Sequence, residues 1–183
     1  MNFMHLIAKS RSCSDKGNFM RSKGENSKTL THDFPLWRDR ANFILVAHLK
    51  DPDVPKEWKW EQIWARQIEI NLFEICCIPF FYYGLALGDW VNTKPLDERK
   101  YVIKDIVEKQ GHTTYRAWFH SKADWSSTID EIQSLGCSVE ARWEKSGLIA
   151  IDAPTSGARM ELERFLRNLE TAWDLEWETG EVV

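Results

Sequence analysis

The reading turns on Ile78-Pro79-Phe80-Phe81-Tyr82-Tyr83-Gly84-Leu85-Ala86-Leu87-Gly88-Asp89. Pro79 has no backbone donor, so a strand that runs into it ends there or lies at a sheet edge. Gly84 and Gly88 allow backbone angles that other residues resist. The run reads as the strand–turn–strand joint of a small β domain, with Asp89-Trp90-Val91 opening the next strand. Alternation along a strand would put Phe80 and Tyr82 on one face and Phe81 and Tyr83 on the other, leaving at most one pair exposed.

On the N-terminal side of this run the signals are strand-like. Asn42 to Leu49 is a short apolar run, and Asp51-Pro52-Asp53-Val54-Pro55 breaks it. From Trp60 to Ile70, Trp64, Ile68 and Ile70 share one face while Gln67 and Glu69 share the other. Leu72 to Ile78, the segment from Asp89, and Lys100 to Val107 supply further strands. Five or six short strands with tight turns predict a small antiparallel β-sheet or barrel over residues 35–109.

The C-terminal side has another rhythm. Thr113 to His120 reads as a strand, Asp124 as a helix N-cap, and Ile129, Ile132 and Leu135 follow at helical spacing up to Gly136. Cys137, Val139, Ala141 and Trp143 alternate, and Glu144-Lys145-Ser146-Gly147 turns the chain into Leu148–Asp152. Thr155 or Ser156 caps a second helix carrying Leu162, Phe165, Leu166 and Leu169. Trp173, Leu175 and Trp177 then alternate with Asp174, Glu176 and Glu178. The order β-α-β-β-α-β predicts a split βαβ, ferredoxin-like half over residues 110–183, packed on the β domain. The expected class is α+β.

Residues 1–34 are rich in Ser, Lys, Asn and Gly without a sustained period, and they read as a disordered basic tail. Six Lys/Arg stand against three acids in residues 1–33, while the remainder carries 18 Lys/Arg against 25 Asp/Glu. An acidic body is a poor general binder of nucleic acid, which leaves the tail as the one segment suited to it. No apolar run approaches the roughly 18 residues of a membrane span, and the start is too short and too weakly apolar for a signal peptide. A cytoplasmic protein is expected. Cys13, Cys76, Cys77 and Cys137 lack metal-ligand spacing, so neither a metal nor a cofactor is expected.

Several short motifs resemble a known family. They are Ile63-Trp64-Ala65, Ile78-Pro79-Phe80-Phe81, Gly84 to Asp89, Gly111-His112-Thr113-Thr114-Tyr115-Arg116, and Leu135-Gly136-Cys137-Ser138-Val139-Glu140. In this order they are similar to the bacterial family catalogued as domain of unknown function 4265, over roughly residues 60–180. Between Ala65 and Ile75 the chain has Arg66-Gln67-Ile68-Glu69-Ile70-Asn71 in place of that family's glycine-bearing hairpin. The resemblance implies a bacterial origin and a fold, and no activity.

Two groups of residues could carry function. After Gly111, period 2 places His112, Thr114 and Arg116 on one strand face, where an imidazole, a hydroxyl and a guanidinium could hold an anion. Asp89 could orient His112 if the sheet brings them together. At the other end, Asp174, Glu176 and Glu178 form an acidic strand face that could meet a basic protein. Cys76 and Cys77 lie in an apolar run and read as core, not as nucleophiles. The favoured expectation is a non-catalytic protein-binding domain, immunity-like or regulatory, that takes a basic partner. The alternative is a small-ligand or anion site, possibly catalytic, around His112 and Arg116.

Overall fold

The structure is a computed structural model that describes residues 28–50, 57–97, 100–119, 125–142, 147–172 and 175–181. It is an α+β protein made mostly of strands, with a closed five-strand barrel and two helices among the described residues. The first half comprises β1 (Lys28–Leu30), β2 (Phe43–His48), β3 (Trp58–Glu69), β4 (Leu72–Ile75), β5 (Trp90–Asp97) and β6 (Lys100–Glu108). The second comprises β7 (Thr113–Phe119), α1 (Trp125–Ser134), β8 (Ser138–Arg142), β9 (Leu148–Ala153), α2 (Ser156–Ala172) and β10 (Leu175–Thr179).

The strands β3-β2-β6-β5-β4 form a ring that closes through a β3–β4 pairing. The expected antiparallel arrangement fails at one seam, because β2 and β6 run parallel where Val46 faces Val102. A ring with an odd number of strands cannot alternate direction all the way round, so at least one parallel seam follows from closure itself. β1 adds a second parallel pairing, along Trp58–Glu61 of β3. It extends the edge that β4 covers only from Ala65 to Glu69. The β3–β4 hairpin turns at Asn71, whose φ of 62° lies in the left-handed region. Among non-glycine residues Asn tolerates that region best, which is how the chain turns without the expected glycine. Inward-facing Ile63 and Ala65 pack with Leu45, Phe73, Ile75, Val91 and Ile103 to fill the barrel.

In the second half the sheet order is β10-β7-β9-β8, with every pairing antiparallel. The two helices cover one face. Ile132 of α1 and Leu162 and Leu166 of α2 bury against Tyr115, Ala117, Ile149 and Ile151. Thr155 caps α2, its hydroxyl accepting the Ala158 N–H at 3.1 Å, and Gly136 follows α1 with φ of 81°. Asp124, Trp143 and residues 144–146 lie outside the described residues. The other face of this sheet packs on the barrel. Trp118, Leu148 and Ala150 share a core with Leu30, Leu49, Trp58, Ile78, Phe80 and Phe81.

Two expectations are corrected here. Composition places residues 28–34 in the basic tail, yet Lys28–Leu30 form β1 and His32 is buried. Residues 1–27 lie outside the described residues. The joint Ile78–Asp89 is not a strand for any of its length, since β4 ends at Ile75 and β5 begins at Trp90. Phe80 and Phe81 are therefore buried together, and the two-faced alternation does not apply.

Candidate functional site

What replaces the sheet ladder in the joint is a set of buried carboxylates. The successive backbone N–H groups of Phe80, Phe81 and Tyr82 donate to the Glu61 carboxylate at 2.6, 3.0 and 2.8 Å. Successive N–H groups turned to one side make a nest for an anion, and here the anion is the chain's own side chain from β3. Glu140 of β8 accepts the N–H groups of Ile78 at 2.9 Å and Leu36 at 2.8 Å. Asp89 accepts those of Ala86 at 2.9 Å and Gln110 at 3.1 Å, and the Lys109 ammonium at 2.9 Å. Backbone donors buried without a partner are costly, so each carboxylate answers a need created where the strand stops.

Buried charge needs compensation. His32 lies between the two glutamates, Nδ1 at 2.9 Å from Glu140 and Nε2 at 3.0 Å from Glu61. Burial opposes a charge on this ring, but Cys77, Glu140 and Glu61 outweigh it and hold the pKa well above 6.5. Burial likewise pushes Glu61 up, and the hydrogen bond and charge of His32, the Phe80 N–H and the Arg116 charge bring it below its ordinary value. Arg116 of β7 is fully buried. Its guanidinium sits 4.3 Å from the Tyr83 ring centroid, donates to the Tyr82 carbonyl at 3.4 Å, and pairs with Glu178 of β10 at 3.5 Å.

Where the joint meets the second half, a cleft of about 250 Å³ opens. Its walls are Gly84–Ala86 of the joint, Lys109, Gly111–Thr113, Arg159 of α2, and Gly180–Glu181 after β10. Gly180 makes the close approach possible. Its N–H donates to the Thr114 carbonyl and its carbonyl accepts the Gly84 N–H, both at 2.7 Å. A Cβ at that position would come within 3.2 Å of Thr114 and 3.3 Å of Arg116 Nη1. Three cationic or ionisable nitrogen groups converge on the cleft. Lys109 is anchored by Asp89 and the Gly84 carbonyl. Arg159 is anchored by Glu181 at 3.3 Å and Glu163 at 3.8 Å. His112 is held at Nδ1 by both oxygens of Asp152, each at 2.9 Å. Burial pushes the Asp152 carboxyl up to about 6, against the lowering effect of His112. A carboxylate fixing one ring nitrogen sets the ring's orientation and leaves the other nitrogen for a ligand or a proton.

The proposed site residues thus separate. His112 lines the cleft, but its partner is Asp152 of β9 and not Asp89, which is committed to the joint. Thr114 is buried and donates to the Leu85 carbonyl at 3.2 Å, and Arg116 lies beneath Gly180, outside the cleft wall. The face carrying both is not solvated, because it is the face of β7 that packs on the barrel. Glu178 donates nothing to an open acidic surface. It accepts the Tyr83 hydroxyl at 2.5 Å and pairs with Arg116. Glu176 is half-buried, and Asp174 lies outside the described residues. Sequence reasoning missed Lys109, Asp152 and Arg159 as site residues. Lys109 precedes Gly111-His112 by two residues and carried a usable signal; the other two are brought in by the fold alone. Cys76 and Cys137 are unpaired and buried, and burial pushes their thiols up to about 12 and about 11. Cys77 is also unpaired and shifted upward, which is the opposite of an activated nucleophile. Among the described residues no group of three His, Cys, Asp or Glu could hold a metal ion.

The fold and site define a class: a barrel joined to a helix-covered sheet, with a charged cleft at the seam. The chain belongs to the family described as Domain of unknown function (DUF4265), whose model matches residues 61–177. A similar solved structure is that of a hypothetical protein from Neisseria gonorrhoeae, with a TM-score of 0.59 and 20% identity. The match covers 74% of this chain and 92% of the other, and it speaks to the fold alone. No curated protein matches. No helix among the described residues is long and apolar enough to cross a membrane.

Proposed function

We propose that this chain binds a small ligand carrying an anionic group, a carboxylate or a phosphate, in the cleft between the joint and the second half. One observation carries the reading: Lys109 and His112 of the β6–β7 connection and Arg159 of α2 converge on one concave site of about 250 Å³. Each is held by an acid, Lys109 by Asp89, His112 by Asp152 and Arg159 by Glu163 and by Glu181 on the cleft wall. Part of the side-chain ordering cost is therefore already met, and an anion would displace Glu181 from Arg159. The cleft walls also offer glycine backbone at Gly84, Gly111 and Gly180, where a ligand can approach closely. The order β10-β7-β9-β8, with a helix after β7 and another after β9, supports reading residues 110–183 as a ferredoxin-like split βαβ. The unpaired Cys76, Cys77 and Cys137 fit a reducing, cytoplasmic setting. Capture of a basic protein by the acidic end draws on Glu178, which the fold already uses against Arg116 and Tyr83, and the cleft reading is therefore preferred.

Calorimetric titration with inorganic phosphate and with acetate tests the proposal. Saturable binding of at least one is expected, and Arg159→Met should weaken it about tenfold or more, the worth of one charge-assisted contact of roughly 1.5–3 kcal/mol. Absence of saturable binding by either anion, or binding untouched by Arg159→Met and Lys109→Met together, would refute it.

A further inference from the structure

We propose that Glu61 and Glu140 form an internal binding site for a cationic side chain, filled in cis by His32. The segment Lys28–Leu36 then becomes a strap whose closure is read by pH. The two glutamates belong to β3 and β8, within the family-matched residues, whereas His32 lies outside them. Both carboxylates are buried and already accept the backbone of the joint and of Leu36. Each ring nitrogen of His32 faces one of them. A neutral imidazole donates only once, so one carboxylate would then face a lone pair; the doubly protonated ring satisfies both.

The rest of the strap is short. β1 is three residues long and its register with β3 is irregular. Besides the His32 ring and that pairing, the strap is held by the Lys28 N–H on the Glu57 carbonyl, the Lys28 ammonium over the Trp58 ring, the buried Leu30 and Pro35 side chains, the His32 carbonyl accepting from Trp64 Nε1 at 3.0 Å, and the Leu36 N–H on Glu140. Among the described residues, the charged or titratable groups acting on His32 come from elsewhere in the fold. They are Glu61 on β3, Glu140 on β8, Cys77 just before the joint, and Arg116 on β7 acting through Glu61.

The sign of the pH response follows. His32 is raised in the closed state, so its contribution is fully present below about 6.5 and is lost as pH rises through the closed-state value. Between those limits the opening constant should rise about tenfold per pH unit, one proton being lost on opening. Glu61 is lowered, so its contribution is lost only as pH falls through its own depressed value, at the far acid end.

Cys77 is buried beside His32 and supplies the readout. N-ethylmaleimide labelling of the full chain is followed from pH 6 to 9, with each cysteine quantified by tandem mass spectrometry. Rates are divided by those of the urea-unfolded chain at the same pH. Cys77 protection should fall about tenfold per pH unit above about 6.5, while Cys137, buried among α1 and α2, stays protected. His32→Gln should open the strap at pH 7 and flatten the slope. Leu30→Ala leaves the ionic cluster intact, so it should raise labelling at every pH and keep the slope, which covers failure of His32→Gln to fold. Protection of Cys77 that is independent of pH, or that tracks Cys137 throughout, would overturn the proposal.

Discussion

Replacing Glu61 by Gln removes one charge and one acceptor oxygen from a buried carboxylate with four hydrogen-bond partners. Glu61 Oε1 takes the Phe80 N–H and His32 Nε2, while Oε2 takes the N–H groups of Phe81 and Tyr82. A glutamine amide has one oxygen, so in either orientation its NH₂ group meets at least one buried donor head-on. Leaving a buried donor without a partner costs about 1–3 kcal/mol, and removing one member of a buried ion pair costs about 3–5 kcal/mol. The two overlap, because His32 can shed its proton once Glu61 is neutral, so they do not add. The expected loss is about 3–5 kcal/mol, a large share of the roughly 5–15 kcal/mol that stabilises an ordinary domain. Urea unfolding followed by tryptophan fluorescence measures it, with a midpoint lowered by roughly 1–3 M. Glu69→Gln, at an exposed position at the end of β3, should stay within about 0.5 kcal/mol. A Glu61→Gln chain within about 1 kcal/mol of the parent would refute the claim that this carboxylate holds the joint.

Three further outcomes follow from the geometry. Gly147→Ala should destabilise by about 2 kcal/mol or more in the same assay, since a Cβ there would lie 2.4 Å from the Phe119 carbonyl oxygen and φ is 69°; an unchanged midpoint would contradict this. Asn71→Gly should be near neutral, whereas Asn71→Val should cost about 1–2 kcal/mol, because φ of 62° suits Gly and resists a branched side chain; equal midpoints for the two would count against the turn. Asp152, pushed up to about 6 by burial, loses stability for the fold as pH rises from 3.8 through 6, and His112 offsets that loss. Asp152→Asn should therefore flatten that fall between pH 4 and pH 7, as read from urea midpoints, and an unchanged fall would argue against the burial effect.

Much of the architecture was legible from local pattern. Alternation in β7 through β9, the Thr155 cap and the positive φ of Gly84, Gly88 and Gly136 all follow from short-range chemistry. The parallel β2–β6 seam was not legible, because pairing direction is set by closure of the ring and not by any strand's own residues. The buried acids were hidden for a related reason. Glu61, Glu140, Asp89 and Asp152 look like surface residues by type, since charged side chains are rarely enclosed without partners. Those partners lie far along the chain, with His32 separated from Glu140 by 108 positions. His32 itself sits at the end of a run whose polar composition reads as disorder. The acidic face of β10 misled in the same way: Glu178 alternates as a solvent-facing residue should, but the face it shares with Arg116 is covered by the barrel. Of the cleft residues, the sequence singled out His112, and Lys109 stands close enough to it in the chain to have been found, whereas Asp152 and Arg159 are brought in by the topology alone.

The most direct test of ligand binding in the cleft is a phosphate titration of the uniformly ¹⁵N-labelled chain followed by ¹H–¹⁵N correlation spectra. Saturable shifts should concentrate at the amides of Gly84, Leu85, Gly111, His112 and Gly180, with the His112 ring nitrogens moving in step, and should need about tenfold more phosphate or more in Arg159→Met. Shifts that are absent, that scatter over the acidic surface, or that persist unchanged in that variant would contradict the account.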